Sequence, residues 1–132
     1  MASPTRQVIV DLFAAHMPDG LDVLPYSRQI DPPTKATLMV RLDVTRPGPE
    51  LGSRDNDVTL VVVAPGGLEV EATEAELDAL LEDVLHVLER NDVVSNAVVW
   101  ESATRAAYGE PDPTNPAFDI KTTIRTQKDP TP

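Results

Sequence analysis

The sequence predicts an α+β fold: a mostly antiparallel sheet of about four to five strands with two helices packed on one face. Three observations carry this. Two stretches repeat apolar residues at helical spacing, and several others alternate apolar and polar residues as half-wet strands do. Thirteen prolines, gathered in "RPGPELG", "DPPT" and "EPDPTNP", cut the chain into short elements. The 132 residues suit one domain. It is expected over residues 1–127, with "KDPTP" (128–132) as a frayed end.

The opening "SPTRQVIVDLFAAHMPDG" reads as a helix. Ser3 can cap it, Pro4 fits the first helical position, and Pro18-Asp19-Gly20 stops it. Its expected apolar face is Val8, Leu12 and Ala15, with Ile9 and Met17. "LDVLPY" (21–26) follows as a short edge strand marked by Pro25. "KATLMVRLDVTRPG" places Leu38, Val40, Leu42 and Val44 on one face and Met39, Arg41, Asp43 and Thr45 on the other. "RPGPELGSRDND" then reads as a long loop into the strand "VTLVVVAP" (58–65).

The second helix lies in "TEAELDALLEDVLHVLERND". Thr73 and Glu76 stand at capping-box spacing, and Leu77, Leu80, Leu81, Val84, Leu85 and Leu88 recur every three or four residues. Truncating Leu81 or Leu88 to alanine is expected to cost ~2–5 kcal/mol. Two strands close the chain, "NAVVWESATRAAY" (96–108) and "PAFDIKTTIRTQ" (116–127). The second sets Phe118, Ile120, Thr122 and Ile124 against Asp119, Lys121, Thr123 and Arg125, and the turn-rich "GEPDPTNP" joins the two.

Composition narrows the function. Eleven basic against 22 acidic residues give a formal charge of −11, the wrong sign for gripping phosphates. An acidic wall past which DNA slides is compatible with it. There is no cysteine, hence no disulfide, thiolate metal site or cysteine nucleophile. No signal peptide is expected from "MASPTRQVIVDLF", and no apolar run approaches the ~20 residues that cross a bilayer.

No catalytic constellation stands out. His86 forms an i±4 row with Glu82 and Arg90, read as an exposed charge row, and His16 is isolated. The serines lack a nucleophile-elbow context, and Gly66-Gly67 reads as a plain turn. Nine acids between Glu69 and Asp92 face a single base, Arg90, and read as a solvated helix surface. A hydrolase built on them would need a cleft and companion groups that the pattern lacks. Trp100 reads as core. No cofactor and no metal ion are expected.

What remains is the second sheet face. With both helices used on the first, the second carries Arg41, Asp43, Glu101, Asp119, Lys121 and Arg125 around Val61, Val63 and Val99. A neighbouring chain is the expected cover. Its apolar centre would be Met39, Val61, Val63 and Val99, with Arg41, Glu101, Lys121 and Arg125 about it. The competing reading puts these valines under the first helix.

The succession "RQVIVDLFAAHMPDGLDVLPYSRQIDPPTKATLMVRLDV", "DVTLVVVAP", "EAELDALLEDVLHVLE", "NAVVWESATRAAYG" and "PAFDIKTTIRT" resembles tail terminator proteins of long-tailed bacteriophages and related prophages. Asp19, Gly20, Leu21, Val23 and Tyr26 match that family's first strand, and Leu77 to Leu88 its acidic helix. The likeness covers roughly residues 6 to 127. The stretch "TRPGPELGSRDND" is less typical. The resemblance implies a structural virion protein, assembled in the host cytoplasm and located in the tail neck. It would form a homo-oligomer, a hexameric ring that caps the tail tube, ends tube polymerisation and offers a joining surface to head-completion (stopper) proteins. DNA would pass through the lumen without specific binding, and no membrane is implied. The loops at 47–57 and 110–116 would reach neighbouring rings. The closest rival is a head–tail connector or stopper of the same neck, followed by an adaptor of a contractile apparatus.

Overall fold

The structure, a computed structural model, describes residues 4–16, 21–26, 35–64, 70–89, 97–108 and 115–127. Along the chain run α1 (Pro4–His16), β1 (Asp22–Leu24), β2 (Thr37–Pro47), β3 (Ser53–Val63), α2 (Val70–Glu89), β4 (Ala97–Tyr108) and β5 (Asn115–Gln127). This is the predicted α+β fold, in the predicted element order. The five strands form one sheet in the order β1-β2-β3-β5-β4. β1 pairs parallel to β2, and every other neighbouring pair is antiparallel. β3 and β4 therefore run the same way with β5 between them, so α2 has to cross over the sheet to join them.

One cluster holds the two layers together. Leu38, Val40, Val58, Leu60, Val62, Val98, Ile120 and Ile124 turn one face of the sheet toward Ile9, Leu12 and Phe13 of α1 and Leu77, Leu80, Val84, Val87 and Leu88 of α2. Leu42, Trp100 and Phe118 pack against its rim, as their alternation predicts. Both helices thus lie on one side. The α1 stripe keeps the expected Ile9 and Leu12 but differs at two positions: Phe13 is wholly buried and Ala15 is exposed. Phenylalanine removes far more apolar area from water than alanine, and the helix rotates to bury it. Ser3 and Met17 lie outside the described residues, as do 109–114 and 128–132. Thr73 is not a cap, because α2 begins at Val70 and Thr73 is a buried residue inside it.

Arg6 ties α1 to the sheet edge. Its Nη1 donates to Pro25 O at 2.5 Å and to Val40 O at 2.8 Å, and its guanidinium lies 5.1 Å from the Tyr26 ring centre. β1 matches only Thr37, Leu38 and Met39 of β2. Arg6 extends that cover by one carbonyl.

The stretch 47–57, expected as a loop, is mostly strand. β2 and β3 stay paired as far as Pro47 opposite Arg54, and only residues 48–52 make the turn. Polar residues that read as loop are here a solvated ladder. Buried Asn56 donates to Ile124 O at 2.9 Å and accepts from Thr45 Oγ1 at 2.9 Å. Ser53 locks the turn, donating to Glu50 O at 2.8 Å and accepting from Glu50 N at 3.1 Å. Two glycines permit it: Gly52 has φ 85°, and a Cβ on Gly48 would stand 2.2 Å from Ser53 Oγ.

Leu77 is wholly buried while Leu81 is only partly so. Leu77→Ala should therefore cost ~2–5 kcal/mol, with Leu81→Ala clearly cheaper. Urea denaturation of the two variants checks the order.

Candidate interface on the open sheet face

The side chains that point away from the helices divide into two halves. Toward the β1 end, Met39, Val61, Val63 and Ala117 form a second cluster, with Leu24 and Ala106 packed against it. Met39 and Val63 are 0 % exposed and Val61 3 %. These residues are buried within the single chain, so a neighbouring copy is not needed to cover them. They are not under α1 either, whose apolar residues belong to the other face. Period-two spacing tells which face a valine is on but not what already covers that face. Of the four expected apolar interface residues, only Val99 is exposed, at 60 %.

The other half is polar and closely paired. The register aligns Arg41, Thr59, Lys121 and Ser102 in one cross-strand row, and Val44, Asp57, Thr123 and Val99 in another. Between these levels each outer strand carries a bulge: β2 between Leu42 and Val44, and β4 between Trp100 and Ser102. The extra residues are Asp43 and Glu101, and both turn their carboxylates to this face. Asp43 accepts from Arg41 Nε at 2.9 Å and from Thr59 Oγ1 at 2.5 Å, while Glu101 accepts from Thr123 Oγ1 at 3.2 Å. Bulges increase local twist and bend a strand. Between the two lies a hollow of about 300 Å³, lined among others by Asp43, Asp57, Thr59, Glu101 and Lys121.

Arg46 reaches Asp57 at 2.7 Å, and Arg125 holds Asp55 through contacts of 2.8 and 3.2 Å. Arg41, Arg46, Lys121 and Arg125 face Asp43, Asp55, Asp57 and Glu101, so this half of the sheet is close to neutral in a strongly acidic chain. Arg125 and Arg46 hold the carboxyls of Asp55 and Asp57 below the usual carboxylate range. For Asp43, burial pushes the other way, but the bonds from Thr59 and Arg41 and the Arg41 and Lys121 charges outweigh it and leave it lowered. Lys121 has no hydrogen-bond or ion-pair partner among the described residues.

Among the described residues, the excess negative charge lies on the opposite layer. Glu76, Asp78, Glu82, Asp83 and Glu89 of α2 are exposed, and that helix contains no lysine or arginine. Arg105 of β4 binds Glu74. His16 and His86 are exposed, and Trp100 packs on the core. Among the described residues, no group of three or more histidines and carboxylates could hold a metal ion. Gly66 and Gly67 lie outside them.

Sequence reasoning missed the bulges, which no residue spacing announces, and the exposure of Val44, at 49 %. Strict alternation places Val44 on the face of Leu38, Val40 and Leu42. The bulge at Asp43 adds one residue and reverses the alternation beyond it.

Two predictions follow from this geometry. Val61→Asp would bury an unpaired charge opposite Asp119, at a cost of ~3–5 kcal/mol. Loss of the far-UV dichroism spectrum is expected, whereas a folded variant would show that the site is open. The second concerns pH. The Asp57 carboxyl is lowered in the folded state, so its contribution is complete above the unfolded value of about 3.9 and is lost as pH falls through the folded value. The melting-temperature gap between wild type and Asp57→Asn should be widest near neutrality and shrink below pH ~4.

A scan against models of known protein families finds no match for this chain, and a search of curated proteins finds none either.

Proposed function

We propose that the protein is a ring-forming component of a phage tail neck, a tail terminator that caps the tube and stops its growth. The observation that carries this reading is the one-sided layering. Both helices cover one sheet face, and the other is left with a charge-paired, bulged half that no helix of the described residues covers. Such a face is polar enough to remain soluble and patterned enough to be recognised, as the rim and centre of non-obligate interfaces are. The order α1-β1-β2-β3-α2-β4-β5 is also the order on which the family resemblance rests.

Charge supports the same reading. The acidic outer side of α2 disfavours adhesion of DNA, and a channel through which DNA must move needs non-adhesive walls. Tube protein would be the docking partner on one side of the ring, and a head-completion protein on the other.

Mixing the purified protein with polymerising tube protein tests this. The expected result is six-fold rings in negative-stain images and tubes whose elongation stops at a capped end. Twelve-fold rings would favour the connector reading, and tubes that lengthen at an unchanged rate would overturn the terminator role.

A further inference from the structure

Among the described residues, four large apolar side chains are exposed: Tyr26, Val44, Leu51 and Val99. Tyr26 lies under the Arg6 guanidinium. The other three divide between two places. Val44 and Val99 end the row Val44–Asp57–Thr123–Val99 on the open face, beside the hollow that Asp43, Glu101 and Lys121 line. Leu51 stands in full contact with water in the turn that ends the β2–β3 hairpin.

That turn is built to keep its shape. Gly48 N donates to Ser53 O at 2.9 Å, Ser53 N donates to Glu50 O at 3.0 Å, and the Ser53 hydroxyl closes the same turn. Pro47 and Pro49 each fix a φ angle. A knob held this way loses little freedom when a partner closes over it, and its bare leucine gains from apolar cover. Near it, the exposed Arg54 guanidinium has no hydrogen bond or ion pair among the described residues. The open face carries the complement. Glu101, exposed beside Val99, accepts from the Thr123 hydroxyl and has no ion pair among the described residues.

Size agrees with charge. Val44 and Val99 stand three strand spacings apart, about 14 Å, and the two chains of a hairpin tip are one spacing, about 5 Å, apart. A tip with its side chains therefore fits between the valines. It cannot be the chain's own tip: from Asp57 in that row to Ser53 at the turn, β3 runs four residues, about 13 Å, and Val99 lies two strands aside.

We infer that the hairpin tip of one copy docks on the open sheet face of a second copy, with Leu51 packed on Val99 and Arg54 paired with Glu101. The contact is heterologous, so it closes into a ring when the rotation per copy allows. This rests on the ring reading above and names the two surfaces that join its subunits.

The absence of native cysteine permits a clean test. Within one chain, positions 51 and 99 lie well beyond the ~7 Å Cα limit of a disulfide, so a Leu51→Cys/Val99→Cys variant bridges them only between copies. Mild oxidation should give a non-reducing ladder of covalent multimers ending at the ring size. When the two single variants are mixed, 51–99 heterodimers should exceed either homodimer. Both side chains are exposed, so the melting temperature should stay at the wild-type value. Sedimentation reads the charge pair: Arg54→Glu or Glu101→Arg alone should weaken association about tenfold, and the two together should restore it. Rings that form without the ladder, or charge reversals that leave association unchanged, would overturn this contact and leave the ring reading standing. A chain that stays monomeric at high concentration with tube protein present would overturn both. Cross-linked rings that do not stop tube growth would support the contact and remove the terminator role.

Discussion

A sheet has two faces, and the helices of the described residues cover one. That imbalance governs the rest of the molecule. On the helix side, α1 and α2 supply the aliphatic stripes that close a single core with the inward strand residues. On the other side the chain uses two remedies in succession along the strands. Where side chains are greasy, Met39, Val61, Val63 and Ala117 bury one another with Leu24 and Ala106. Where the strands extend past that cluster, arginines and aspartates satisfy one another at the surface, across strands in Arg46–Asp57 and Arg125–Asp55 and within β2 in Arg41–Asp43.

The second remedy explains a hairpin that looks too polar to be a strand. Exposed ion pairs contribute little stability individually, and the turn at 48–52 and buried Asn56 keep β2 and β3 in register there. The ladder's main consequence is chemical. Its charges are paired and well solvated, and the two bulges at Asp43 and Glu101 shape it. Among the described residues the acidic excess is left to α2, on the far layer, so the two layers differ in electrostatic character.

Much of the fold was legible in the residues. The 3.6-residue repeat from Leu77 to Leu88 and the alternation from Phe118 to Ile124 announced α2 and β5 and their inward faces, because burial on one side leaves a period in the sequence. The errors share a cause as well. "SRDND" carries no apolar alternation, so a strand held by side-chain pairing with β2 and β5 read as loop. The bulge at Asp43 has no composition signal, so strict alternation puts Val44 on the wrong side. Val61 and Val63 cluster with Met39 and Ala117, which sit on neighbouring strands far away in sequence, and periodicity cannot see across strands. As for the candidate site, the charged members Arg41, Glu101, Lys121 and Arg125 share the expected face. Its apolar centre shrinks to Val99, joined by Val44.

The central claim is that one half of the second face is buried within the chain while the other half is solvated and charge-paired. Amide hydrogen exchange, read at low and high protein concentration, measures this directly. The account predicts that the amides of Val61 and Val63 exchange slowly at both concentrations. The outward-pointing amides along Arg41–Arg46, those without a ladder bond to β3, should exchange much faster in the dilute chain. Fast exchange at Val61 and Val63 in the dilute chain, or equally slow exchange at the outward-pointing amides of Arg41–Arg46, would contradict it.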